Sequence, residues 1–386
     1  MKVLISGASI AGPALAYWLH RYGFEVTVVE RAPRLRPGGQ AVDFKGATHF
    51  AVLERMGILD EVRRRRTGTT DTVFVDENDQ ELAVARGEFT GGDLEILRGD
   101  LSEILYERTA ANCEYLFGDS ISALHETADG VEVTFELAPS RTFDLVVGAD
   151  GIHSRVRKLA FGPEQDYVKH LGHYYCVAGA SPWSGEGSRE RQVAHGHNTP
   201  GRLAVSGGSK AQQLYMFASP ELGYSRDDIE AQREIVRRAY AGVRWQVPRM
   251  LEEMKEFDDF YLDSISQVRM DGRYTRGRAA LVGDSAYGNT LGGFGTGLAV
   301  VGAYVLAGEL KLAQGNYKIA YAQYDEIMKR YAKIAGNSNA GRFLAPRTAT
   351  GIKLRNWFLN SRMFALMTKY ADKAANDIDL RDYEAH

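Results

Sequence analysis

The chain has 386 residues, 44% hydrophobic and 25% charged, the proportions of an ordinary globular protein with room for two or three domains. A formal net charge of -3 gives no electrostatic reason for nucleic acid or an anionic membrane as partner. Cys113 and Cys176 are far apart and in no metal-like spacing, the N-terminal apolar run is broken too soon by glycine for a signal peptide, and no stretch approaches a membrane span. A reducing, cytoplasmic setting is therefore the default.

The first thirty residues organise the rest. Val3-Leu4-Ile5 reads as a buried strand, Gly7-Ala8-Ser9-Ile10-Ala11-Gly12 as a small-residue turn, residues up to Tyr22 as a helix and residues 26–29 as a second strand: a βαβ unit. Gly7 allows the tight turn, Gly12 lets helix and strand pack closely, Pro13 suits a first helical turn, and the helix N-terminus offers unpaired N–H groups to a pyrophosphate. Glu30, at the end of the second strand, is placed to accept hydrogen bonds from an adenosine ribose. Ser9 departs from the pattern, standing where a second glycine normally lets backbone approach the phosphates. The motif predicts a dinucleotide without saying which.

Residues 31–43, rich in Pro, Gly and Arg, read as a loop in which Gly38 and Gly39 suit either close approach to a ligand or a plain surface turn. A helix is expected over residues 50–62, with Arg63, Arg64, Arg65 and Arg66 as its solvated end. Residues 72–84 look like a hairpin turning at residues 76–79, and Leu97-Arg98 opens a helix. Short strands follow at residues 115–117, 121–125, 131–137 and 143–147, the last two in a small antiparallel meander. The final one runs into Gly148-Ala149-Asp150-Gly151-Ile152-His153-Ser154-Arg155-Val156-Arg157. An acid at a strand end, a glycine, and a serine capping a helix with two arginines suit sugar hydroxyls and phosphates.

From residue 162 to 270 alternating, aromatic-rich segments such as residues 173–177 and 213–217 predict a separate antiparallel sheet, with a helix over residues 226–241. Its Tyr, Phe and His side chains either pack a core or line a pocket for an aromatic ligand. Residues 278–284 then repeat the pattern of an apolar strand ending in glycine and acid, Gly283-Asp284. A glycine-dense loop over residues 288–297 leads into an apolar helix, residues 298–312, whose N-terminus points above the strand ends. The tail, residues 332–386, reads as helical, with Trp357, Phe358, Phe364 and Met367 in packing roles.

With these three motifs in this order, the sequence resembles the class A flavoprotein monooxygenases, the aromatic hydroxylases of the para-hydroxybenzoate hydroxylase fold that include tetracycline-inactivating and antibiotic-biosynthesis enzymes. The resemblance covers roughly residues 1–330. It implies an α/β fold: a Rossmann-like FAD-binding domain of glutathione-reductase type (residues 1–71, 96–164 and 272–331), a discontinuous antiparallel-sheet substrate domain (72–95 and 165–271) and a C-terminal helical region (332–386). It places the FAD diphosphate at Gly7, Ser9, Ile10, Ala11 and Gly12, the adenosine ribose on Glu30, and the ribitol near Asp284. Arg31, Gln40, Asp43, Arg98, Asp150, Gly151, Gly283, Gly293, Gly295 and Thr296 complete the cofactor-binding set, with Asp150-Gly151 also serving a transient NADPH or NADH. The loop Thr290, Leu291, Gly292 and Gly293 lies near the flavin ring.

The chemistry implied is hydroxylation of an aromatic or polycyclic small molecule: NAD(P)H delivers hydride, reduced flavin captures O2, and a C4a-hydroperoxide transfers one oxygen. No side-chain nucleophile, paired carboxylate or metal is required. After Asp284 the family commonly has Ala-Ala-His or Ala-Ala-Tyr and then a proline; Ser285-Ala286-Tyr287-Gly288-Asn289-Thr290-Leu291-Gly292 lacks that proline, which predicts a more mobile loop or a different substrate. The rival readings are a flavin oxidoreductase that oxidises, reduces or epoxidises without ring hydroxylation, and a protein that binds flavin or ligand without turnover. The expected assembly is a monomer or homodimer.

Overall fold

The computed structural model describes residues 1–36, 38–68, 70–87, 92–180, 192–208, 211–335, 339–361, 364 and 380–384. In chain order the first strands are β1 (Lys2–Ser6), β2 (Glu25–Glu30), β3 (Ala41–Phe44), β4 (Thr70–Val75), β5 (Glu81–Ala85) and β6 (Leu94–Leu97). Next come β7 (Glu114–Phe117), β8 (Ile121–Glu126), β9 (Val131–Phe135), β10 (Arg141–Phe143), β11 (Leu145–Gly148) and β12 (Val168–Ala178). The last are β13 (Gln192–Thr199), β14 (Arg202–Ser206), β15 (Gln213–Ala218), β16 (Phe260–Val268), β17 (Thr275–Arg276) and β18 (Ala279–Leu281).

One six-stranded sheet, ordered β17-β18-β11-β1-β2-β7, is parallel apart from β17. Val3, Leu4 and Ile5 in β1 are wholly buried, as are Val146 and Val147 beside them in β11. Parallel strands covered on both faces read as continuous apolar runs rather than alternating ones, which is why these segments were legible. Helix Ala11–Arg21 packs against helix Gly295–Leu312, with the Trp18 ring edge-on to Tyr304 at 4.8 Å. The second helix is long and apolar enough to cross a membrane, against the expectation that no stretch approaches a span. It is buried over 78% of its length, so here its apolar surface is the centre of the core.

A seven-stranded sheet, ordered β16-β12-β15-β14-β13-β4-β5, stands apart from the parallel one and is antiparallel except where β13 runs beside β4. Period-2 alternation divides its side chains. Tyr174, Tyr215 and Phe217 face helix Ile229–Ala239, while Tyr175, Met216, Phe74 and Leu203 pack on the other face, with Ala345 and Leu359. The architecture is thus α/β, a Rossmann-like parallel sheet with a separate, largely antiparallel one.

Three local expectations are corrected. The helix over residues 50–62 is two helices, Ala47–Arg55 and Leu59–Arg64, because Gly57 takes φ +69° between them. Residues 143–147 are split at Asp144: β10 closes a three-stranded sheet with β9 and β8, and β11 enters the parallel sheet. The strand expected at residues 115–117 is present and lies at the edge of the parallel sheet, beside β2. Trp357 is 62% exposed rather than packed, whereas Phe364 is buried and Phe358 packs against the same cluster. Met367 lies outside the described residues.

Candidate active site at the parallel strand ends

The three sequence motifs meet at the carboxyl ends of β1, β11 and β18. Gly7, at φ +107°, lies so close to the β11 end that a Cβ would stand 2.5 Å from the Ala149 carbonyl oxygen. At Gly12 a Cβ would stand 1.9 Å from the Gly7 carbonyl oxygen, and at Gly283 one would stand 3.0 Å from Ala11 Cβ. Gly7 and Gly12 are therefore required by backbone approach and Gly283 by its φ of +67° and the nearby Ala11, and the contacts stitch the first motif to the other two.

Helix Ala11–Arg21 begins at Ile10 with no side-chain cap, leaving its first N–H groups directed at the space above the strand ends. Glu30 sits at the end of β2 with both oxygens engaged, one accepting from Ala8 N–H and the other from Ala32 N–H, each at 2.8 Å. Ser9, the departure from the glycine pattern, has a partner: its Oγ accepts Arg98 Nε–H at 3.0 Å. Arg98 also holds the glycine loop, its backbone N–H donating to the Gln40 carbonyl, while Gly99 N–H donates to Gly38. Asp43 follows in β3 opposite Glu95, and Arg31 turns outward toward Asp227 at 3.9 Å.

The two acids differ in what they hold. Asp150 accepts from Ser154 Oγ at 2.5 Å, Arg155 N–H at 2.8 Å, Val156 N–H at 3.1 Å and Ser6 Oγ at 3.3 Å. Burial raises its pKa and these bonds oppose the rise. Its carboxylate therefore fixes the start of helix Arg155–Ala160. From that helix the wholly buried Arg157 reaches across to the Ser285 carbonyl at 2.8 Å and back to Ile152 at 2.6 Å, locking the second motif to the third. Asp284 has no such engagement. Its side chain is exposed, while the protein packed around it raises its pKa and Arg98 opposes the shift.

Thr290 ties the glycine loop to β16, accepting Ser266 N–H on its hydroxyl at 3.3 Å and donating its own N–H to the Ser266 carbonyl at 3.0 Å. Leu291 (φ 56°) and Phe294 (φ 64°) flank Gly292 and Gly293 in the left-handed region, where non-glycine residues are uncommon and strained. Phe294 caps helix Gly295–Leu312 with no side-chain bond, so Gly295 and Thr296 begin a second uncapped N-terminus, where a Cβ on Gly295 would stand 3.7 Å from the Asp284 carboxylate. Beneath it lies His49, which sequence reading missed. A Cβ on Gly297 would stand 2.0 Å from its ring, and burial lowers its pKa to about 4, leaving a neutral imidazole. Only a pairing of Gly297 with a histidine 248 positions away would have revealed it.

A second group absent from the expected set bridges to the seven-stranded sheet. His153 donates through Nδ1 to Glu164 at 2.9 Å and through Nε2 to Asp263 at 3.2 Å. Burial opposes the charge of His153, yet the bonds to Asp263 and Glu164 raise its pKa overall. Asp263, buried in β16, also accepts from Arg226 at 3.1 Å and from the Tyr261 hydroxyl at 2.7 Å. Burial opposes its ionisation, and these partners more than offset that, lowering its pKa. Tyr261 neighbours Tyr175, ring centroids 5.8 Å apart, and β16 is hydrogen-bonded to the loop that follows Asp284, Val268 N–H donating to the Gly288 carbonyl at 2.7 Å. The aromatic face of the seven-stranded sheet therefore adjoins the recess at the parallel strand ends.

Comparison with known proteins agrees with this construction. Residues 1–316 match the family described as FAD binding domain. A Mycobacterium tuberculosis protein carried as uncharacterised is 44% identical over 330 residues, covering 83% of this chain and 88% of its own. A flavin-dependent monooxygenase of Legionella longbeachae is 37% identical over 337 residues, 86% of each chain. The crystal structure of tetracycline destructase Tet(51) superposes with a TM-score of 0.83 at 30% identity, covering 99% of both chains. With its glycine turns, paired strand-end acids and uncapped helix N-termini in the order that family requires, the chain belongs to the FAD-binding-domain family and is a class A flavin-dependent monooxygenase.

Proposed function

We propose that this monooxygenase consumes NADH or NADPH and O2 to hydroxylate an aromatic or polycyclic small molecule, held between the Asp284 recess and the Tyr175 face of the seven-stranded sheet. The observation that carries the reading is the adjacency of those two surfaces: β16, whose Tyr261 ring lies 5.8 Å from Tyr175, is hydrogen-bonded to the loop that follows Asp284, Val268 N–H to Gly288 at 2.7 Å and Thr290 N–H to Ser266 at 3.0 Å. The residues present fit FAD. Two uncapped helix N-termini suit a diphosphate and a ring that gathers negative charge, and Asp284 offers a carboxylate with an open face to ribitol hydroxyls. Bound FAD would supply the electron transfer and the activation of oxygen.

The protein's own contribution is placement and exclusion. Ala11 and Gly12 present N–H groups to the diphosphate, and Glu30 braces the turn and the ribose end. Asp150, Ser154 and Arg157 hold the second motif against the third. Gly295 and Thr296 direct N–H groups at developing negative charge, each donor of this kind contributing roughly 3 kcal/mol in comparable sites. The strained loop at Leu291 and Phe294, anchored through Thr290, walls water from the reacting centre. The aromatic side chains of β12 and β16 present flat apolar surface to a ring system.

The first test is the visible spectrum of the purified protein, in which a flavin band is expected; protein that stays colourless after incubation with FAD overturns the assignment of the residues to that cofactor. NADPH and NADH consumption is then measured across phenolic and polycyclic ligands, tetracycline among them because of the Tet(51) likeness. Turnover under isotopically labelled O2 should leave one labelled atom in the product, and consumption without incorporation would favour the oxidoreductase that does not hydroxylate.

A further inference from the structure

Behind the seven-stranded sheet, on the face away from Tyr175, lies a cavity of about 550 Å³ that shares no residue with the strand-end motifs. Its floor is apolar, built from Phe217, Leu222 and Ile235; its rim carries Arg202, Arg238 and Arg347. Among the described residues no acidic one lines it, although the chain as a whole is net acidic. Phe217 is almost fully buried and is backed by the stacked ring of Tyr174 at 5.8 Å.

The three guanidiniums are unequally satisfied. Arg238 pairs with Glu234 at 2.8 Å along its own helix. Arg347 donates to the Gly172 carbonyl at 3.0 Å and has no carboxylate partner among the described residues. Arg202, at the start of β14, has neither a side-chain hydrogen bond nor an ion pair among them. Beyond Arg202 is a smaller recess of about 270 Å³, where Glu77 stands 3.8 Å from Arg244, so the nearby acid has a cation of its own.

Arg202 and Arg347, without a carboxylate partner among the described residues, leave two positive charges on one rim unanswered, and an entering anion would gain charge-assisted hydrogen bonds from them. A small inorganic anion would leave the apolar floor wet, and a neutral hydrocarbon would leave the charges unanswered. The volume falls in the range of small-molecule sites, and the mixture of apolar floor and a few oriented polar groups is what such sites use. We infer that this cavity binds an organic acid, its anionic head held by Arg202 and Arg347 and its apolar body laid on Phe217, Leu222 and Ile235. Arg347 follows Ala345 and Pro346, whose carbonyls accept from His173 at 3.2 Å and from Gly201 N–H at 2.8 Å. The head group thus touches the segment joining helices Ala340–Leu344 and Ala349–Leu359 from behind.

Calorimetric titration of the FAD-loaded protein with octanoate tests this, with octan-1-ol and inorganic phosphate as half-ligands. Saturable octanoate binding is expected, with both half-ligands at least tenfold weaker. Arg202→Gln and Arg347→Gln should each weaken octanoate about tenfold, the loss of one charge-assisted bond, and Arg202→Lys should weaken it less. Ile235→Glu, which places a carboxylate in the cavity, should abolish binding, and in every variant the flavin absorbance per protein stays unchanged. The inference is overturned by octan-1-ol binding as tightly as octanoate, by Arg202→Gln leaving the affinity unaltered, or by no saturation below about 1 mM. It is also overturned by Arg202-dependent retention on phosphatidylglycerol vesicles, which would make the face a membrane contact.

Discussion

The parallel sheet and the seven-stranded sheet offer a ligand different material. At the ends of β1, β11 and β18 the surface is backbone: glycines at van der Waals limits, uncapped helix starts and a single open carboxylate. On β12 and β16 it is side chain, with Tyr175 and Tyr261 standing on a regular ladder whose backbone bonds are satisfied within the sheet. A backbone surface has few alternatives, since adding one carbon collides with main chain that cannot rotate away. A side-chain surface can be repainted residue by residue while the ladder stays intact. The first suits a fixed cofactor, the second a substrate that differs from one family member to the next.

The sharpest way to break that contrast is Gly12→Ala. The new Cβ would meet the Gly7 carbonyl at 1.9 Å, backbone against backbone. Loss of flavin absorbance after gel filtration is expected, with a fall in stability of about 1–3 kcal/mol or more. Gly151→Ala is the control: Gly151 has φ +81° with nothing within 4 Å of a Cβ, so about 1 kcal/mol of backbone strain is the whole cost. If both variants bind FAD like the parent, the strand ends are not built from close backbone approach.

Arg157→Leu follows. It removes a wholly buried guanidinium and strands the Ser285 and Ile152 carbonyls, at about 2–3 kcal/mol by urea unfolding. A change below about 0.5 kcal/mol would mean that the second and third motifs do not depend on one another. Asp284→Ala makes the opposite pairing. No protein group bonds its carboxylate among the described residues, so apo stability should stay within about 0.5 kcal/mol. The FAD dissociation constant should nevertheless rise about tenfold, the loss of one charged hydrogen bond. Unchanged flavin affinity would remove Asp284 from the cofactor site.

What the sequence disclosed follows the same division. Gly7, Gly12, Asp150 and Gly283 were legible because their roles are local: a turn, a cap, a strand end. Ser9 looked like a defect because its partner, Arg98, lies 89 positions on, and nothing in a single sequence links them. His153 was visible inside a motif, but Asp263 is 110 residues away on a strand whose alternating pattern says only that one side is buried. Asp144 escaped notice because β10 and β11 run together as one apolar stretch, and only their different partners, β9 and β1, separate them. His49 sits where Gly297 leaves room for it, an absence of side chain that no pattern reports.

The His153 group joins the two regions, and its titration sharpens the comparison. The bonds to Asp263 and Glu164 raise the His153 pKa, so their contribution is complete below the unfolded histidine value near 6.5 and is lost as pH rises through the folded value. Asp263 and Glu164 are both lowered, so their contribution is present above about pH 4.5 and is lost as pH falls through their folded values. His153→Gln should therefore cost most, about 1–2 kcal/mol, between about pH 4.5 and 6.5, and the difference from the parent should shrink as pH rises through the folded His153 value. No difference from the parent between about pH 4.5 and 6.5 would show that His153 is neutral in the folded protein.

The mildest change separates the regions most cleanly. Tyr175→Phe keeps the ring on the aromatic face and removes only a hydroxyl whose neighbour is Tyr261, so the sheet should lose no more than about 1 kcal/mol. Flavin loading, set by the strand-end backbone, should be unchanged. What should move is the order in which phenolic and polycyclic ligands stimulate NADPH consumption, because Tyr175 stands beside Tyr261 of β16, the strand bonded to the loop after Asp284, where a ring substituent would meet it. The same variant losing flavin would join β12 to the cofactor site and erase the distinction between a backbone-built and a side-chain-built surface. An unaltered ligand order would instead place the ring elsewhere on the sheet, toward Met216 and Phe74 on the same face.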